Sequence, residues 1–460
     1  MATAFKPVDV VEVRIWGKRV GAVLLDTATN YYAFEYDPKW VKTGIELAPL
    51  RMPLSAAREP FLFTDLPEAT YQRLPAILAD ALPDRFGNAL IDAWMAERGV
   101  ASDRVTALDR LAYMGKRGMG ALEFKPARGS HASSSTALQL GSLVDAARQA
   151  VDGSIGTESL AKSTLNQIIQ VGTSAGGARA KATVAWNPTT NEVRAGQFDV
   201  PDGFEHWLLK FDGLKTDRSL GGGAGYGRLE YAYYLMARAA GLNMAPCRLL
   251  EENGRAHFMT KRFDREGNTR LHMQSLCALD HLDYKKTGVH SYAQLFNVMQ
   301  RLGLESDAMR QMLRRMIFNV MAVNWDDHTK NQAFLLRENE KWEISPAYDI
   351  SFACDPTNPW INQHQMAINS KFKQITHSDI KALADQVGIG LEVTTALREV
   401  SDALSRWSEF AQEAGVPEAS YRIIGEKIQE ICEPVHVKIP RKGHPQSIVE
   451  INTGHQLTSP

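Results

Sequence analysis

Cysteine is scarce: four residues in 460, Cys247, Cys277, Cys354 and Cys432, with no two in a CxxC pair. That scatter excludes a disulfide framework and a zinc ribbon and points to a reducing compartment. An excess of charge of one sign is also missing. Lys and Arg number 52 and Asp and Glu 53, a formal net charge of −1, so no global basic field announces nucleic acid. No apolar run approaches the roughly 18 residues that cross a bilayer. Residues 1–10 lack the basic-then-apolar order of a secretory signal. There is no internal repeat. These absences lead us to expect a soluble, cytoplasmic chain with no membrane partner.

What is present is ordinary in bulk, 44% hydrophobic and 23% charged, and longer than one hydrophobic core usually serves. Residues 11–25 alternate around Trp16-Gly17-Lys18 and 31–36 form an aromatic run, both strand patterns. A helix-rich stretch, 71–98, is broken at Pro83-Asp84. Residues 128–136 (RGSHASSST) are small, polar and aperiodic, the clearest linker. Helical patterns follow at 138–151 and 158–171. A hairpin is expected from 182–186 and 192–198, a strand at 206–211, and a helix at 229–240 stopped by Gly241. Short strands are expected at 247–250 and 257–260. Beyond these, helices dominate to about Cys432. Met309, Met312, Leu313, Met316, Ile317, Val320 and Met321 recur at three- and four-residue intervals, which reads as a core stripe. The tail from Val435 carries Pro440 and Pro445 and few large apolar residues.

Chemistry concentrates where that helical periodicity stops, in Asn324-Trp325-Asp326-Asp327-His328-Thr329-Lys330-Asn331. Two strand patterns, 333–336 and 342–344, come next, and then Ser345-Pro346-Ala347-Tyr348-Asp349. Phosphoryl transfer needs a carboxylate to orient the attacking hydroxyl, oxygen ligands for Mg2+, and cations on the phosphates. Asp326 suits the first role and Asn331 and Asp349 the second, with Lys330 available to the γ-phosphate and His328 to buttress the loop. An Asp-Asp-His cluster also serves as a helix cap, and Asp326, Asp327 and His328 could serve a metal-dependent hydrolase. A degenerate, non-catalytic binding module is a further alternative. Upstream, residues 172–181 (GTSAGGARAK) are small enough for backbone amides to converge on a phosphate, with Lys181 and Lys210 as candidate cations. No Gly-Lys-Ser/Thr follows, so the Walker pattern is absent. Gly221-Gly222-Gly223-Ala224-Gly225-Tyr226-Gly227 lacks the preceding strand that a dinucleotide fingerprint requires.

The ordered pieces VEVRIWGKRVGAVLL, LPDRFGNALI, MGKRGMGALEF, SAGGARAK, HWLLKF, TKRFDR, NWDDHTKN and SPAYDI resemble the HipA family of bacterial toxin kinases along nearly the whole chain. The resemblance implies an α+β, bilobal kinase fold of the phosphatidylinositol-kinase-like type. Its expected units are an N-terminal β-rich subdomain (1–128), a small lobe (137–262), an all-α C-terminal lobe (263–434) and a flexible tail (435–460). It implies Asp326 as the catalytic aspartate, with Asn331 and Asp349 as magnesium ligands. ATP contacts are implied for Gly176, Gly177, Ala178, Arg179, Ala180, Lys181 and Lys210, and for the hinge residues Lys261, Arg262 and Phe263. His328, Thr329, Lys330, Asn331 and Tyr348 complete them.

Ser174 falls where family members autophosphorylate to switch themselves off. A phosphate carries about −1.5 to −2 charges and would compete for the groups that hold ATP. Residues 212–227 fall where the family has its activation loop. The family also implies a HipB-like helix-turn-helix antitoxin, operator DNA reached through that antitoxin, and a protein substrate such as an aminoacyl-tRNA synthetase. Ala180 stands where many members have proline, and Lys261 where the hinge is often acidic or neutral.

Overall fold

The computed structural model describes residues 5–83, 85–128, 141, 143, 179–213 and 225–435. Of the expected linker only Arg128 falls within these. Gly141 and Leu143, the two described positions of the 138–151 pattern, are helical. The 158–171 pattern and the tail beyond Val435 lie outside the described residues.

The chain begins with an antiparallel four-stranded sheet in the order β3-β2-β1-β4, formed by β1 (Val10–Ile15), β2 (Lys18–Asp26), β3 (Tyr31–Tyr36) and β4 (Glu123–Lys125). Alternation puts Val11, Val13 and Ile15 on the buried face. The β1–β2 hairpin turns at Trp16-Gly17, both at positive φ (48° and 75°), as a tight two-residue hairpin requires. Trp16 Nε1 donates to Arg270 O at 2.8 Å, so the turn is anchored to a later part of the chain. Helices Arg85–Ala96 and Ala107–Met114 fill the excursion between β3 and β4. The second of these opens on a Thr106/Asp109 capping box, and Asp109 also accepts from Val8 N at 2.9 Å.

A second antiparallel sheet has the order β6-β5-β7-β9-β8, from β5 (Lys181–Trp186), β6 (Val193–Ala195), β7 (Glu205–Lys210), β8 (Cys247–Glu252) and β9 (Arg255–Lys261). Every residue of β5 is buried. Helix Tyr226–Ala239 lies against β8 and β9. Its approach is close: a Cβ on Gly227 would sit 1.9 Å from Ala256 O, so only glycine fits.

From residue 276 onward helices dominate. In Ser306–Met321 all seven residues of the predicted Met-rich stripe are buried, and the helix packs on Val393–Leu404. The expectation of an all-α C-terminal lobe is corrected, because His272–Ser275, Ala333–Leu336 and Trp342–Ile344 form a three-stranded antiparallel sheet. Ala333–Leu336 is its central strand and wholly buried, and the hairpin it makes returns the chain toward Asp326. The architecture is therefore mixed α+β, β-rich at the N-terminus and mainly helical at the C-terminus. Most of its buried apolar side chains, from Val8 to Val435, form one contiguous core.

Candidate active site

Helix Ser306–Met321 ends in a sharp change of direction. Val323 adopts φ 59° and Asp349, on the returning segment, φ 52°. A left-handed valine costs about 1–3 kcal/mol and persists only where its surroundings hold it. Here Ala353 N donates to Val323 O and Trp325 N to Ala353 O, both at 3.0 Å. These bonds stitch the Asp326 loop to the segment that carries Asp349. Buried Asn324 adds a 3.0 Å bond from its Nδ2 to Asn319 Oδ1.

Asp326 presents its carboxylate at the surface of this crossing, 46% exposed, with His328 Nε2 3.8 Å away. Protein crowding around it disfavours the charged form and raises its pKa; His328 opposes the rise, and Asp349 and Asp327 add to it. Asn331 Nδ2 donates to Asp326 O at 2.9 Å, which closes the loop on itself. Thr329 Oγ1 donates to Leu282 O at 2.6 Å, and Lys330 Nζ lies 5.4 Å from the Tyr284 ring centre. Tyr348 OH donates to Lys330 O at 2.8 Å, and its ring meets Phe263 at 5.5 Å.

Asp327 faces the other way. Its buried carboxylate accepts from Tyr292 OH (2.9 Å) and Gln365 N (2.8 Å) and lies 2.9 Å from His364 Nδ1. Among the described residues no three Asp, Glu, His or Cys side chains come together to hold a metal ion. The hydrolase alternative built on Asp326, Asp327 and His328 is therefore not supported by the geometry.

Across from Asp326 stands Lys210, at the end of β7 and 7% exposed. Its ammonium touches both Asp349 Oδ1 and Glu230 Oε1. Burial works against that charge, but Asp349 and then Glu230 outweigh it, so Lys210 is held above its ordinary pKa. Burial likewise pushes Asp349 up. Lys210 and Lys181 pull it further down, and the net is a carboxylate held below its usual range. Lys181 is directly opposite Lys210 in the β5–β7 register and is itself buried. Arg179 NH1 reaches Glu230 Oε2 at 3.2 Å and its guanidinium covers the Tyr226 ring at 4.9 Å. Ala180 O accepts from Phe211 N at 3.1 Å. Ser174, Gly176, Gly177 and Ala178 lie outside the described residues, as does most of the 212–227 segment. At that segment's ends, Asp212 accepts from Gly225 N and Tyr226 N at 3.0 Å.

The strand-end residues divide their work. Lys261 N donates to Pro246 O (2.8 Å), Arg262 N to His206 O (2.9 Å), and Lys261 Nζ pairs with Glu205 at 2.6 Å. The Arg262 side chain turns inward and pairs with Asp264, its Nε at 2.9 Å and NH2 at 2.7 Å. Glu230 escaped the sequence reading although it carried a signal. It is an acid set among Leu229, Ala232, Tyr233, Met236 and Ala237, the buried stripe of its helix.

The fold and site define a two-part α+β protein with a Lys–Glu–Asp cluster facing a half-open aspartate. Residues 11–125 match the HipA N-terminal domain and 173–431 the HipA-like C-terminal domain, and the chain belongs to the HipA family. It is similar to a HipA of Shewanella oneidensis MR-1, solved in a toxin–antitoxin complex with HipB and operator DNA. That likeness covers 92% of this chain and 97% of that one, with a TM-score of 0.66 and 18% identity, and is a likeness of fold. A protein of Sinorhizobium fredii provisionally named kinase Y4mE is 22% identical over 227 residues. The match takes in 44% of this chain, which spans about half of that relative's length, 52%.

Proposed function

We propose that this chain is an ATP- and Mg2+-dependent serine/threonine protein kinase acting as the toxin of a HipBA-like toxin–antitoxin pair. The observation that carries the reading is the Lys210 ammonium held between Glu230 and Asp349. A lysine paired to a helix glutamate, beside an aspartate able to bind Mg2+, is the arrangement kinases need before phosphoryl transfer.

Asp326, its carboxylate half-exposed beside His328, orients the attacking hydroxyl and accepts its proton. Lys210 and Lys181 address the phosphates from the sheet, and Lys330 addresses the γ-phosphate from the opposite side. Asn331, with its Nδ2 bonded to Asp326 O, offers its carbonyl oxygen, and Asp349 its carboxylate. Two hard oxygen donors suit Mg2+, which completes its shell with water and substrate phosphates. When bound, Mg2+ would neutralise charge on the transferring phosphate. The hinge residues Lys261, Arg262 and Phe263 are assigned to adenine, with Tyr348 beside it, and Gly176 to Ala180 to the phosphates.

In this reading the fold is the phosphatidylinositol-kinase-like variant, with units at 1–128, 137–262 and 263–434 and a tail from 435. Ser174 is the self-inhibitory phosphosite. The partners are a HipB-like helix-turn-helix antitoxin and, through it, operator DNA. The substrate is a translation-related protein such as an aminoacyl-tRNA synthetase, met in the cytoplasm. Purified protein given Mg2+ and labelled ATP is expected to incorporate phosphate. Asp326→Asn is expected to slow this roughly 10²–10⁴-fold, and Ser174→Ala to remove one mapped phosphosite. Incorporation unchanged in Asp326→Asn sinks the reading.

A further inference from the structure

The segment 282–286 (LDYKK) crosses the catalytic loop and touches it at three consecutive residues. Leu282 O accepts from Thr329 Oγ1 at 2.6 Å. The Tyr284 ring centre lies 5.3 Å from that of His328, and Lys330 Nζ lies 5.4 Å from it. One half-buried aromatic ring thus packs against the imidazole beside Asp326 and the ammonium assigned to the γ-phosphate. A cation over an aromatic face is attracted by about 0.5–1 kcal/mol at exposed sites and more where water is thin.

The same segment is fastened on its far side to the N-terminal region. Thr70 Oγ1 donates to Asp283 Oδ1 at 2.6 Å, and Lys285 Nζ donates to Ala69 O. Asp283 also holds its own turn, accepting from Lys285 N at 3.0 Å, while its carbonyl O lies 2.8 Å from His290 Nε2. The strap is therefore tied to helix Glu68–Tyr71 on one side and to the catalytic loop on the other.

We infer that Tyr284 is a positioning residue for His328 and Lys330, and that the N-terminal region holds it in place through Thr70 and Asp283. This rests on the kinase reading above. It makes the N-terminal region a working part of the site, because the loop's ammonium is set by a ring fastened to that region. Both contacts are made through the ring, which Tyr284→Phe retains.

The test is steady-state phosphorylation with purified full-length variants. Tyr284→Ala is expected to lower kcat at least ten-fold with the KM for ATP changed less than three-fold, since misplacement near 1 Å can cost about 10²-fold in rate. Tyr284→Phe is expected to restore most of kcat. Thr70→Val, outside the catalytic loop, is expected to lower the same parameter by a smaller factor. In a Lys330→Met background Tyr284→Ala should add little, as residues acting as one unit are non-additive. Wild-type kcat in Tyr284→Ala overturns the role of Tyr284, and fully additive losses with Lys330→Met overturn its action on Lys330. Wild-type kcat in Thr70→Val overturns the link to the N-terminal region. Those failures differ from failure of the kinase reading, which Asp326→Asn reports. Should no preparation transfer phosphate, amide exchange at 326–331 decides: faster in Tyr284→Ala than in Tyr284→Phe supports the inference, and equal rates overturn it.

Discussion

Glu230 is the residue whose role is least visible locally and most consequential in the folded chain. It is 3% exposed and neutralises two cations, Lys210 and Arg179. A buried acid without such partners would be expelled or protonated. Replacing it as Glu230→Gln leaves Lys210 with Asp349 alone, drawing the ammonium toward the carboxylate assigned to Mg2+. We expect kcat/KM for ATP to fall about 10²-fold and half-saturating Mg2+ to rise, with the far-ultraviolet circular dichroism unchanged. Kinetics equal to wild type across a Mg2+ titration would show that Glu230 only fills space.

Among elements, Ser306–Met321 decides where the Asp326 loop begins. Its periodicity is strong enough to read from the chain, since Met309, Met312, Met316 and Val320 fall on one face by spacing alone. Met316 is fully buried, and Met316→Ala is expected to cost about 2–5 kcal/mol in a urea unfolding curve. A loss under 1 kcal/mol would mean the neighbouring helices collapse into the space. The strand patterns at 11–25, 206–211, 247–250 and 333–336 were legible for the same reason, as alternation and apolar runs are local properties. The strands within the C-terminal part fared differently: their segments were visible, but not the sheet they make with His272–Ser275. That partner lies in another part of the chain, and pairing register is set in three dimensions.

At the scale of the whole molecule, the segment leading into β4 and the strand-end segment are joined by a buried ion cluster. Asp264, fully buried, accepts from Gly120 N (2.7 Å), Arg262 NH2 (2.7 Å) and Arg265 NH1 (2.8 Å). Arg265 and Arg270 each bond Gly120 O at 3.1 Å. Burial alone would raise the Asp264 pKa, but Arg262 and then Arg265 overcome it and hold the carboxyl far below its usual range. A folded pKa below the unfolded one gives stability that is complete above the unfolded value, near 4. It is lost as pH falls from there toward the folded value. Wild type should therefore lose stability steadily on acidification below about pH 4. Asp264→Asn should be weaker at neutral pH by about 3–5 kcal/mol, with a flatter acid limb. Parallel acid limbs in urea titrations would remove Asp264 from that role.

The chain by itself determined the strands, the Met-rich helix and the order Asp326, Asn331, Asp349, because each depends on neighbours within a few residues. Tertiary structure alone decided what surrounds them. Lys210 meets Glu230 20 residues on and Asp349 139 residues on, while Gly120 meets Asp264 at a separation of 144. Tyr284 meets His328 and Lys330 from a different element. Such pairs follow from how the sheet packs on helix Tyr226–Ala239 and how 323–325 are stitched to Ala353. Spacing along the chain carries no record of them, because the partners meet only once the core has closed, where a buried charge or polar group must find a partner.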